Sequence, residues 1–140
     1  MSLFSVMNVA GSALAAQTLR LNTTASNLAN ANSASSSLDT TYRARQPVFA
    51  PMLDGLSEGG DEAGVGVQVT GVIESQAPLQ RDYEPGNPLA DAEGYVFKPN
   101  VNVVEEMANM ISASRSYQTN VEIMDASKQM LTRTLALGQQ

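Results

Sequence analysis

Residues 103–137 read VVEEMANMISASRSYQTNVEIMDASKQMLTRTLAL. Val103, Met110, Tyr117, Met124 and Leu131 recur at intervals of seven. Met107, Ser114, Val121, Lys128 and Leu135 follow the same interval at an offset of four. Alternating steps of four and three place both columns on one face of a helix, as the a and d positions of a coiled coil. Ser114 and Lys128 are polar breaks in that seam. Asn102, with Glu105 three residues on, resembles a capping box with Asn in the place of Ser or Thr. Glu105 and Glu106 sit where a helix dipole favours acids. Lys128 and Arg133 lie toward the other end, and Gly138 can close the helix.

A second helix is expected over about Leu3 to Asn30. Leu3, Met7, Leu14, Leu21 and Leu28 carry its apolar side, with Met7 to Leu28 recurring every seven residues. A weaker column holds Leu3, Ala10, Gln17 and Thr24. Ser2 is a candidate N-cap, and Gly11, Ala13, Ala15 and Ala16 are small enough to let another helix approach. The two helices share one period, so they are expected to pair as a coiled coil.

Between them lies a different kind of sequence. All the prolines fall there, and all the glycines except Gly11 and Gly138. Residues 64–73 read GVGVQVTGVI, in which Val65, Val67 and Val69 alternate with Gly66 and Gln68, a strand pattern. Residues 43–49, 79–83 and 95–98 are shorter strand candidates. Residues 54–64 are acidic and Gly-rich and read as an exposed loop. The Ser-, Ala- and Thr-rich run 33–41 is expected to hold no structure of its own. The expected fold is mainly α with a small β insert: residues 1–32 an N-terminal coiled-coil helix, 33–100 a loop and β-hairpin-rich region, and 101–140 a C-terminal coiled-coil helix.

Pairing two helices does not use up the apolar surface. Ile123, Met130 and Leu137 form another seven-spaced row, and Ile111 lies nearby. Exposed apolar area of this kind marks an interface. The expected subunit-packing residues are therefore Leu3, Met7, Leu14, Leu21 and Leu28 in the first helix. In the second they are Val103, Met107, Met110, Ile111, Tyr117, Val121, Met124, Met130, Leu131 and Leu135.

Composition narrows the function classes. The 140 residues contain no Cys and no His, which removes thiol chemistry, thiolate metal sites and the commonest general base. A net charge of -6 leaves no basic face for nucleic acid. From Ser2 to Leu38 the one charged residue is Arg20; such a neutral helix suits a surrounding of other protein. The carboxylate pairs Asp61/Glu62, Asp91/Glu93 and Glu105/Glu106 lack the spacing of a metal loop. Gly64 and Gly66 precede no helix and so form no nucleotide loop. No catalytic, cofactor or metal residues are assigned, and no small-molecule substrate is expected. The early apolar residues, interrupted by Asn8, Ser12 and Gln17 and without a basic lead, do not read as a cleaved signal peptide.

Particular residues then become recognisable. Ser26–Asn32 (SNLANAN), Tyr42-Arg43-Ala44-Arg45 and Pro47-Val48-Phe49 resemble the rod and hook family of bacterial flagella. The stretch GNPLADAEGYVFKPNVNVVEEMANM and the helix that follows resemble its proximal-rod branch most specifically. The resemblance also covers residues 73–78, but not 33–41 or 54–64. It implies a structural subunit of the basal-body proximal rod, the helically assembled drive shaft that crosses the periplasm and transmits motor torque. It further implies export through the flagellar type III apparatus without a cleaved signal, and no enzymatic activity. The implied partners are copies of the chain and other rod proteins, with the rod adapter and membrane-ring proteins at the base. The residues by themselves also allow a self-contained coiled-coil adaptor or export chaperone. A hydrolase built on two carboxylates finds no support in their placement.

Overall fold

The computed structural model describes residues 2–52 and 65–138. Helix α1 spans Leu3–Asn30, and strands β1 (Arg45–Pro51), β2 (Val67–Glu74), β3 (Gln80–Tyr83) and β4 (Tyr95–Lys98) precede helix α2 (Val103–Leu137). The fold is mainly helical with a β insert of two two-stranded sheets, β1–β2 and β3–β4. The expected acidic loop 54–64 and the pair Asp61/Glu62 lie outside the described residues.

Each helix starts where its side chains can satisfy its free amides. The Ser2 hydroxyl accepts the Ser5 N–H at 3.2 Å. Asn102 Oδ1 accepts the N–H groups of Val104 and Glu105 at 3.1 and 3.4 Å. The reciprocal bond from the Glu105 carboxylate to the Asn102 amide is absent among the described residues, so the motif is an Asn N-cap and not a full capping box. At the far end the Gly138 N–H bonds the Thr134 carbonyl at 3.2 Å. Gly138 does not take the left-handed turn that its position suggests; among the described residues the positive φ belongs to Gly94, at 87°.

The chain divides into two compact units. The first comprises residues 1–19, 48–71 and 112–140. Ala10, Ala16, Ala113 and Ser127 are buried in it. Its part of the β1–β2 sheet is antiparallel: the Met52 N–H bonds the Gly66 carbonyl at 2.8 Å, and the Thr70 hydroxyl reaches the Val48 carbonyl at 3.1 Å. The Ser12 hydroxyl on α1 accepts the Val67 N–H at 3.0 Å and fixes β2 to the helix. Gly66 is needed there, because a Cβ would stand 2.8 Å from Ser12 Oγ and 3.1 Å from Met52 Sδ.

The second unit comprises residues 20–47 and 72–111. It buries Ala44, Val96, Pro99 and Val101, and also polar Thr23, Thr24, Asn27, Thr41 and Glu106. β3 and β4 pair antiparallel with Gln80 opposite Lys98 and Tyr83 opposite Tyr95. The run 33–41 is not structureless as its composition suggests. Ser35 exchanges both backbone bonds with Phe97 at 2.9 Å, which adds it to the outer side of β4. The run's own hydroxyls close its turns: Ser35 to Thr40, Ser37 to Thr40, and Thr41 to the Ser37 carbonyl at 2.6 Å. Small polar side chains that bond nearby backbone make a compact turn without apolar burial.

Candidate functional site

Two asparagines organise the second unit. Asn27, 1% exposed, opens the NLANA stretch in the last turn of α1. Its Oδ1 accepts the Arg45 N–H at 2.9 Å and the Tyr42 hydroxyl at 2.8 Å, while its Nδ2 donates to the Arg45 carbonyl at 2.8 Å. The side chain thus pairs with the edge of β1 as a neighbouring strand would. Asn100 joins the preceding residue to the segment after β2: Oδ1 accepts the Ala44 N–H at 2.8 Å, and Nδ2 donates to the carbonyls of Ser75 and Ala77 at 3.3 and 2.9 Å. The Ala44 carbonyl accepts the Ser75 N–H at 2.7 Å. These bonds explain why Asn27 can be buried, since each of its polar atoms is paired.

The β3–β4 hairpin carries the charged groups. The Arg81 guanidinium bonds Glu93 at 2.7 Å and Asp91 at 3.4 Å, and lies 4.0 Å over the Tyr95 ring. Lys98 bonds Asp82 and Glu84, each at 2.8 Å. The Tyr95 N–H, assisted by the Glu93 N–H and by Arg81, holds the Asp91 carboxyl below its usual range. Lys98, with Asn87, does the same for Glu84, and Asp82 and Glu84 raise Lys98. Asp91 and Glu93 are therefore occupied as the acceptors of an arginine. Among the described residues no group of three or more carboxylates could hold a metal ion, and no helix is long and apolar enough to cross a membrane.

The apolar residues show a different pattern. Among the described residues no Leu, Ile, Met, Phe or Tyr is buried; the buried apolar side chains are Ala, Val and Pro99. Of the residues that the sequence marks for subunit packing, Leu3, Met7, Leu14, Leu21, Leu28, Met110, Val121, Met124 and Leu131 are half-buried. Val103, Met107, Ile111, Tyr117, Met130 and Leu135 are exposed, from 37% at Tyr117 to 67% at Leu135. Ile123 and Leu137 of the outer row are exposed as well.

The most buried positions of α2 form a column that the search for large apolar residues passes over. Glu106, Ala113 and Ser127 are buried, and Asn120 is half-buried between them, at the same seven-residue interval. In α1 the weaker column is the more buried one: Ala10 and Thr24 are 3% and 4% exposed. Gln17 stands between them, with its Oε1 buried and without a partner. The signal was present in the sequence as a heptad of small and polar residues. Within each unit the two helices meet. In the first, Met124 Cε lies 3.7 Å from where a Cβ would stand on Gly11. In the second, Arg20 donates to Asn109 Oδ1 at 3.0 Å.

Comparison with known proteins adds to this geometry. Residues 7–34 match the family model described as flagella basal body rod protein. Residues 92–137 match the model described as flagellar basal body rod FlgEFG protein C-terminal. The chain is 54% identical over 139 residues to the flagellar basal-body rod protein FlgC of Salmonella typhimurium, covering 99% of this chain and 100% of the relative. The protein of the same name from Yersinia enterocolitica is 50% identical over the same shares of both chains. That of Borreliella burgdorferi is 38% identical over 154 residues, covering 99% of each.

Proposed function

The chain belongs to the FlgC family of flagellar basal-body rod proteins, and on that premise we propose that it works by completing its core with neighbouring subunits. As a structural rod subunit it is a component of the flagellar basal body. The observation that carries the reading is the missing apolar core: the large apolar side chains of both helices remain partly or largely exposed. Surface of that extent is surface for packing.

In this reading the terminal helices, residues 1–32 and 101–140, pair as a coiled coil and form the inner layer of a helical rod. Residues 33–100 form the outer part. Support comes from the approach of the helices inside each unit, Gly11 to Met124 in one and Arg20 to Asn109 in the other, and from the small-residue columns that permit close approach. The half-buried Met7, Leu14, Leu21, Leu28, Met110, Val121, Met124 and Leu131 then flank the seam. The exposed Met107, Ile111, Met130 and Leu135 meet other copies or other rod proteins, with the adapter and membrane-ring proteins at the base. The rod crosses the periplasm and transmits torque, and the chain reaches it by type III export.

The test is Met130→Asp. Met130 is 49% exposed, so the variant should fold and stay monomeric in solution. In cells that lack the native gene, it should fail to enter basal bodies and fail to restore motility. Normal incorporation would overturn the packing assignment. Stable, discrete oligomers that never enter a basal body would favour the adaptor reading.

A further inference from the structure

The polar run 33–41 does more than close on itself. With Asn30 at the end of α1, residues 42–45 and Glu74 at the end of β2, it walls a cavity of about 650 Å³ in the second unit. That volume falls within the roughly 300–1,000 Å³ of small-molecule sites. The lining is mostly polar. Arg43 and Arg45 are balanced in charge by Asp39 and Glu74, and hydroxyls come from the run itself. Leu38, 53% exposed, adds an apolar edge.

Part of this lining is fixed by the chain. The Arg43 guanidinium donates to the carbonyls of Ser75 and Ala77 at 3.2 and 3.5 Å. The Tyr42 hydroxyl bonds Asn27 Oδ1 and Ser26 Oγ at 2.8 and 3.2 Å, and the Arg45 guanidinium lies 5.4 Å from the Tyr42 ring centroid. The Ser33 hydroxyl donates to the Asn30 carbonyl at 2.8 Å. Groups held in place beforehand lose little freedom on binding. The rest of the lining is uncommitted. Among the described residues the exposed Asp39 carboxylate takes no hydrogen bond and forms no ion pair. Arg45 and Glu74 are 3.4 Å apart, with both side chains half exposed. Such a pair is weak, and it leaves most of their donors and acceptors free.

We propose that this cavity is a binding site for a neutral saccharide. The charges of its lining cancel, so it exerts no net pull on an ion of either sign. It offers donors and acceptors together, and a ligand must answer with both. Sugar hydroxyls do so, since each donates once and accepts twice. A carboxylate and a guanidinium each present two neighbouring hydrogen-bonding atoms, which suits a pair of adjacent ring hydroxyls. The C–H face of a sugar ring, which has no polar group to leave unpaired, suits the apolar edge at Leu38. The site is independent of the rod-subunit reading and goes beyond it.

The experiment is an amide NMR titration of the whole chain with maltotriose and with chitotriose at millimolar concentration. The amides of Ser33, Asp39, Thr40 and Arg45 should shift saturably with at least one of them, while those of Arg81 and Asp82 on the β3–β4 hairpin stay in place. Asp39→Ala removes a carboxylate that holds nothing else in the described chain, so the fold is retained. Binding should weaken by about tenfold or more, as for the loss of one hydrogen bond to a charged group. Arg45→Met, which keeps the apolar stem, should weaken it similarly. No shift with either sugar overturns the site, and so does equal binding by the wild type and Asp39→Ala. A stronger response of the same amides to inorganic phosphate also overturns it, because the cavity is then an anion site. In each of these outcomes the rod-subunit reading stands.

Discussion

The Asn27 carboxamide bonds both backbone polar groups of Arg45, taking the N–H at 2.9 Å and giving to the carbonyl at 2.8 Å. One side chain near the end of a helix thus stands in for a whole strand and fixes where β1 begins. Replacing it with Ala strips partners from both Arg45 groups and from the Tyr42 hydroxyl. Asn27→Ala should cost about 2–4 kcal/mol, the range for orphaning buried polar groups. Urea unfolding monitored by circular dichroism measures this, and a cost below about 0.5 kcal/mol would show that water replaces the side chain.

Gly94 holds the turn between β3 and β4. Its φ is 87°, and a Cβ there would stand 2.9 Å from the Tyr83 ring and 3.3 Å from Pro85 Cβ. Gly94→Ala combines left-handed backbone strain with that clash, at about 1–3 kcal/mol. The expected result is selective loss of the nuclear Overhauser contact between Tyr83 and Tyr95, whose ring centroids are 5.1 Å apart. An unchanged contact would show that the turn relaxes freely.

The hairpin's charges set a pH window. Asp91 and Glu84 have lowered folded pKa values, so their contribution is present above the ordinary carboxyl values, about 4. It is lost as pH falls through the lowered ones. Lys98 has a raised value; its contribution is complete below about 10.4 and is lost as pH rises through the folded value. The hairpin is therefore steadiest between roughly pH 5 and 10. In Lys98→Met, an NMR titration should find Glu84 moved up toward its ordinary value. Asp91 should stay low, because the Tyr95 amide is the main cause of its shift.

Ser35 ties the polar run to β4. Ser35→Pro removes the N–H that reaches the Phe97 carbonyl. The Phe97 amide should then exchange faster, and the Thr41 hydroxyl bond to Ser37 should loosen with it. Residue-resolved exchange checks this. If wild-type Phe97 already exchanges as fast as an open strand edge, Ser35 does not pair there.

Much of the architecture was legible beforehand for a simple reason: helices declare themselves through period and caps. The bounds Leu3–Asn30 and Val103–Leu137 follow from the seven-residue repeats, Ser2 and Asn102. The strand 95–98 is one of the short strands expected between the helices. The polar run is ordered against its composition, because a stretch of Ser, Ala and Thr has no periodic signal, and its order comes from hydroxyls meeting backbone within a few residues and from Phe97 far along the chain. The buried columns were partly hidden as well. A search for large apolar residues selects Met and Leu, whereas the positions buried most deeply are Ala, Thr, Ser, Asn and Glu.

By itself the sequence determined the two long helices, the β insert between them, the family, and the absence of His and Cys chemistry, all of which depend on residue type and spacing along the chain. Tertiary structure decided where a strand is bonded by a residue from elsewhere in the chain. That depends on Asn27 reaching Arg45, Ser12 reaching Val67 and Ser35 reaching Phe97. Each is a hydrogen bond between residues well apart in the chain, and local preference carries no record of such a pairing.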